Sequence, residues 1–105
     1  MRTLLIIVCF AAAAATALQG ADATAGKAVY DKSCKSCHGP DGAGNPAIAK
    51  MFKVEMRDLK SAGVQAMSDD DLKKIITDGK GKMKPVASVS GVATDNVVAY
   101  LRSLK

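Results

Sequence analysis

Residues 32–39 read Lys32-Ser33-Cys34-Lys35-Ser36-Cys37-His38-Gly39. Two cysteines stand three apart, and a histidine follows the second directly. Three chemistries use this spacing: thiol–disulfide exchange, zinc binding and covalent haem attachment. The surrounding sequence chooses among them, and the choice carries the fold with it.

A structural zinc site takes four ligands. Cys34, Cys37 and His38 supply three at most, His38 is the single histidine, and no second Cys/His pair follows. Adjacent Cys37 and His38 are also poorly placed to share one tetrahedral ion. A redox Cys-x-x-Cys opens a helix after a strand, where the helix N-terminus lowers a thiol pKa. Here the motif ends a helical pattern, and no strand precedes it. Haem attachment fits both spacing and context. On a helix Cys34, Cys37 and His38 fall at i, i+3 and i+4 and face one side. Two thioethers then hold one edge of a haem, with His38 as an axial ligand.

Working outward, the apolar spacing is helical rather than alternating, and no convincing strand is found. Thr24 is expected to cap a helix from Ala25 to about Lys35, with Ala25, Ala28 and Val29 on one face. Gly39 to Pro46 is dense in turn residues. Short helices are expected over Ala47–Phe52 and Glu55–Ala62, the latter closed by Gly63. A stronger helix begins after Ser68, whose spacing to Asp71 resembles a capping box. Asp69, Asp70 and Asp71 favour the positive end of its dipole. They fit capping better than calcium binding, because no liganding loop surrounds them. Leu72, Ile75 and Ile76 form its apolar stripe, and Gly79 is a natural end. The last helix is expected from about Thr94, with Val97, Tyr100, Leu101 and Leu104 on its buried face. The expected fold class is all-α, a small helical domain wrapped around one haem.

The N-terminus has the layout of a secretory leader over residues 1–23: Arg2, an apolar run from Leu4 to Ala15, then Ala15-Thr16-Ala17 and Ala21-Asp22-Ala23 as cleavage patterns. Cleavage is expected after Ala17 or Ala23, leaving one domain over 24–105. The run is shorter than the roughly 20 residues of a comfortable membrane span. Cys9 lies inside it, not at its small-residue end, which disfavours lipidation. No later segment resembles a membrane span, so the working chain is expected to be extracytoplasmic (periplasmic). Covalent haem attachment in bacteria is completed in that compartment.

At about 80 residues a protein core alone gives marginal stability. The chain has no Trp, two Tyr and two Phe, so large core-filling side chains are scarce. A haem would supply the missing apolar bulk. The formal net charge is +5, and a leader ending at Ala23 removes one charge of each sign. A basic surface suits acidic proteins, nucleic acid or anionic lipid. Export argues against nucleic acid.

With no second histidine, methionine is the natural class for a sixth iron ligand. Met51 beside Phe52, and Met67 at a staple position, have structural roles. Met83 instead lies in Gly79-Lys80-Gly81-Lys82-Met83-Lys84-Pro85, a stretch no helix tolerates. Run extended, this segment would point Met83 one way and Lys80, Lys82 and Lys84 the other.

Together these pieces resemble the small soluble class I c-type cytochromes, over essentially the whole region after the leader. The matching stretches are Gly26-Lys27-Ala28-Val29-Tyr30, Cys34 to His38, Gly81 to Pro85, and Val97-Val98-Ala99-Tyr100-Leu101. The resemblance implies one haem c joined through Cys34 and Cys37, with His38 and Met83 axial. It implies a close crossing of the first and last helices at Gly26 and Tyr100, and a backbone carbonyl, by position Pro46, orienting His38. Some relatives place proline directly after the methionine, whereas here Lys84 intervenes. The expected function is single-electron transfer, without catalysis, between extracytoplasmic partners. The chain is expected to be a monomer, in keeping with a small respiratory-chain carrier. Lys32, Lys35, Lys80, Lys82 and Lys84 would form a basic collar for acidic partners. Two alternatives stand beside this: an open-site haem protein that binds or reduces a small ligand, and an electron-entry subunit of a larger oxidoreductase.

Overall fold

Six helices follow one another in the computed structural model, which describes residues 21–105: α1 (Ala23–Ser33), α2 (Lys35–His38), α3 (Pro46–Phe52), α4 (Ala62–Gln65), α5 (Asp69–Asp78) and α6 (Val92–Ser103). Among the described residues there is no strand beyond an isolated bridge between Lys80 and Met83. The all-α expectation therefore holds. Cys9, the Ala17 cleavage point and the leader up to residue 20 lie outside the described residues.

α1 and α6 form the centre of the packing. They cross where Gly26 is buried, and a Cβ there would overlap the Asn96 carbonyl and stand 3.0 Å from Tyr100 Cβ. Only glycine lets two helix backbones approach so closely. Around the crossing the rings of Tyr30 and Tyr100 pack with centroids 5.1 Å apart at 54°. That tilted geometry is favourable for aromatic pairs. Tyr30 and Val97 are the largest fully buried side chains, and Leu72 and Ile76 of α5 complete the apolar centre with Val98 and Leu101.

α1 starts earlier than Thr24 could allow. Asp22 is the cap: its Oδ1 accepts from Thr24 N at 2.8 Å and Ala25 N at 3.3 Å, and its own N–H donates to Asn96 Oδ1 at 2.9 Å. The expected helix over Glu55–Ala62 is absent. Asp58 folds its carboxylate onto Lys60 N at 2.8 Å and its carbonyl onto Ser61 N at 2.9 Å, a local turn that competes with a helix. Ser61 then caps the short α4. α5 forms as expected, with Ser68 Oγ accepting from Asp71 N at 3.1 Å. α6 begins at Val92 rather than Thr94, after Gly91 at φ 57°.

Two side chains tie α6 to the middle of the chain. Arg102 donates Nη1 to Gln65 O at 2.8 Å and Nε to Asp69 Oδ1 at 2.9 Å, and its Nη2 reaches Met67 O. Gln65 Nε2 donates to both Leu59 O and Leu101 O at 2.9 Å. The carbonyls at the end of α4 and the carboxylate at the start of α5 are thus held by one guanidinium, whose planar fork suits several acceptors.

Candidate functional site

The Cys-x-x-Cys-His stretch is where α1 stops and α2 starts. Cys34 closes α1 with its N–H donating to Tyr30 O, and its φ of −120° breaks the helix. Its carbonyl then accepts from Cys37 N at 3.2 Å and His38 N at 3.0 Å. Cys34, Cys37 and His38 therefore share one tight turn, as their spacing predicts. Both cysteines are free, Cys34 half-buried against the core and Cys37 exposed.

The surroundings of this turn bear on the choice among the three chemistries. Burial, with the Cys37 thiol adding, pushes the Cys34 thiol up to about 11. A thiol used for exchange is shifted the other way. Among the described residues no group of three or more His, Cys, Asp or Glu side chains could hold a metal ion. Burial lowers the pKa of His38, so its imidazole is neutral at pH 7, the state in which it ligates iron. His38 Nδ1 is buried and has no hydrogen-bond partner. The Pro46 carbonyl expected to orient the ring therefore does not receive it. A neutral, part-buried imidazole with an unmet nitrogen, next to two free thiols, fits the donor set of a haem c.

α3 adds a partly exposed apolar surface. Its sequence is Pro-Ala-Ile-Ala-Lys-Met-Phe, none of its residues is buried, and Met51 and Phe52 remain 63% and 42% exposed. Met51 thus lacks the packing role expected from its place beside Phe52. Met67, by contrast, does pack against the core.

Met83 lies in the connection between α5 and α6, half-buried, with Lys80, Lys82 and Lys84 all exposed. This burial pattern matches expectation, but its cause does not. The segment is a tight turn, not an extended run: Lys80 N donates to Met83 O at 2.9 Å and Met83 N to Lys80 O at 3.0 Å. Gly79 at φ 78° starts the turn, and a Cβ there would stand 2.6 Å from Met83 O. Val86 N then donates to Ile76 O at 2.9 Å and closes the loop onto α5. The backbone hydrogen bonds of Met83 stay within its own turn.

One positioning device escapes sequence reading. Tyr30 sends its hydroxyl from the core to Gly39 O, the residue directly after His38. Burial raises the Tyr30 phenol to about 12.

Residues 21–101 match the family described as cytochrome c oxidase, cbb3-type, subunit III. The chain is 34% identical over 90 residues to cytochrome c-554(547) of Halothiobacillus neapolitanus, an overlap covering 80% of this chain and 98% of that protein. It is similar in structure to the KustC0563 c-type cytochrome, with a TM-score of 0.64 and 26% identity over 76% of this chain and 96% of the other. Among the described residues no helix is long and apolar enough to cross a membrane.

Proposed function

The chain belongs to the small class I c-type cytochromes, and from that premise we propose that it passes single electrons between extracytoplasmic partners through one haem c, attached at Cys34 and Cys37 and ligated by His38 and Met83. The observation that carries the reading is the turn of α2, which puts two free thiols and a neutral, unpaired imidazole together. When bound, the haem supplies an iron that changes charge by one electron. The chain's own residues do the rest. Tyr30 and the Gly39–Asn45 loop hold the turn of His38. Gly79 and the Lys80–Met83 turn fix the backbone that carries the Met83 side chain. A thioether ligand raises the potential relative to a second nitrogen. With His38 and Met83 both holding the iron, the group would supply electron transfer and leave no position for a substrate.

The test is spectroscopic. Reduced under denaturing conditions, the exported protein gives a c-type haem signature, and Cys34→Ser or Cys37→Ser changes it by one thioether. The native ferric form shows the weak red band of sulfur on iron. Met83→Ala abolishes that band and Met51→Ala leaves it. Rapid carbon monoxide binding by the unsubstituted protein, with no red band, supports the open-site alternative instead.

Partner choice follows from charge. Lys32, Lys35, Lys80, Lys82 and Lys84 are exposed, and none joins an ion pair among the described residues. Lys27, Lys60, Lys73 and Arg102 are each paired with an aspartate. The unpaired set is free to meet an acidic protein, with association that weakens as salt screens it. An electron-transfer rate that stays flat or rises with ionic strength refutes this. A second reading takes its support from the family description, which names an oxidase subunit: the chain is an electron-entry subunit. Stable co-purification with a larger oxidoreductase would favour it over a free monomeric carrier.

A further inference from the structure

We propose that Asn45 is a positioning residue for His38, holding the turn that carries this ligand through both its side-chain amide and its backbone N–H. The inference rests on the ligation of iron by His38 proposed above.

A helix leaves its last four carbonyls without partners inside the helix. α2 is four residues long, so every one of its carbonyls needs another donor. Lys35 O accepts from Gly39 N at 2.8 Å. The other three are met from the far end of the loop. Ser36 O accepts from Asn45 Nδ2 at 3.0 Å, Cys37 O from Asn45 N at 2.9 Å, and His38 O from Gly44 N at 2.7 Å. The opposite end of the same amide is also used. Asn45 Oδ1 accepts from Ala47 N at 3.0 Å and caps α3. One side chain thus joins the last turn of the Cys–His segment to the first turn of the next helix. Gly44 makes the approach possible: its φ is +98°, and a Cβ there would stand 3.1 Å from Met56 Cβ.

The electrostatic consequence has a sign. The carbonyl end of a helix carries negative partial charge. Asn45 places two N–H donors on the carbonyls of Ser36 and Cys37, the residues just before His38. Withdrawing the amide donor leaves the Ser36 carbonyl uncompensated and the turn freer to shift. Less compensated negative charge on the turn that carries His38 would favour a ferric iron and lower the reduction potential.

Two variants of the haem-loaded protein separate positioning from capping. Asn45→Ser keeps an oxygen that caps α3 but has no amide nitrogen for Ser36. Asn45→Ala keeps neither. The measurements are the reduction potential, the haem-methyl shifts in the ferric proton NMR spectrum, and the thermal midpoint. Both variants are expected to lower the potential by the same amount and to change the methyl pattern alike, while the midpoint falls markedly only in Asn45→Ala. An unchanged potential and methyl pattern in Asn45→Ser overturns the proposal and leaves Asn45 a helix cap. A shift confined to Asn45→Ala overturns it too. The ligation premise is read separately. His38 is the single histidine, so ¹⁵N-histidine labelling of the unsubstituted protein shows whether its nitrogen couples to iron. Absence of that coupling refutes the premise, and the proposal with it, whatever the Asn45 variants do.

Discussion

Replacing Gly26 by alanine adds one methyl group to a helix and should nevertheless destabilise the protein. In an exposed helix the change is favourable by about 1 kcal/mol, because glycine is the poorer helix former. At Gly26 the new Cβ overlaps the backbone carbonyl of Asn96, so no side chain can swing aside to make room. α1 and α6 must separate instead. Overpacking of this kind costs about 1–3 kcal/mol and sometimes more, and a rigid backbone neighbour puts it at the upper end. Separation also loosens the Tyr30–Tyr100 contact, worth about 0.5–1.5 kcal/mol. The net loss is then about 2 kcal/mol or more. For a domain of this size each kcal/mol moves the midpoint by about 4–8 °C, so a fall of roughly 10 °C is expected. Gly63→Ala is the control: a Cβ at Gly63 meets nothing within 4 Å, and the same substitution there should raise the midpoint slightly. Thermal unfolding followed by far-ultraviolet circular dichroism, on the haem-loaded protein, compares the two. A Gly26→Ala midpoint equal to or above that of the parent would refute the close-crossing argument.

Tyr30 gives a pH dependence. Its phenol is raised to about 12 in the fold against 10.0 ordinarily, so the protein binds that proton more tightly when folded. The resulting stability is fully present below pH 10 and is lost as pH rises toward 12. Tyr30→Phe should remove that alkaline sensitivity and cost about 1–2 kcal/mol at neutral pH by taking a donor from the Gly39 carbonyl; alkaline urea titrations that coincide for both proteins would contradict this. Thr94 is buried with no partner for its hydroxyl, so Thr94→Val should be neutral or stabilise by up to about 1 kcal/mol, and a loss beyond 1 kcal/mol in chemical denaturation would show that the hydroxyl has a partner. Export should leave Asp22 on the protein, because cleavage after Ala23 would remove the cap of α1 and its bond to Asn96; an intact mass matching a chain that begins at Leu18 supports this, and one beginning at Thr24 contradicts it.

The features legible in the sequence are those whose cause is local. Ser68, the three aspartates after it and Gly79 mark both ends of α5, because caps and dipole effects act within one turn. The turn holding Cys34, Cys37 and His38 follows from spacing alone. The crossing at Gly26 was reachable only through resemblance, since a glycine does not name the backbone that approaches it. Features with distant causes were hidden. Arg102 finds Gln65 and Met67 some 35 residues away, and Asn45 reaches back to Ser36. Nothing in a run of sequence indicates such partners. Asp58 misled for a different reason: its neighbours suit a helix, but its carboxylate bonds to its own backbone first. At Met83 the burial was foreseen for the wrong cause, because alternation and a tight turn both leave the flanking lysines in water.

The contact between α1 and α6 also orders events in time. Asp22 and Asn96, bonded across the crossing, are 74 residues apart. A chain emerging N-terminus first presents Cys34, Cys37 and His38 long before Val92–Ser103 has arrived. Until then α1 lacks its main packing partner, and joining the two ends costs the entropy of closing a long loop. The Cys34 thiol thus passes through an interval of open access that narrows when the last helix docks and the core it packs against is complete. Attachment of a group to that thiol, as proposed above, would fall within that delay, because the crossing cannot close before the final twelve-residue helix is delivered.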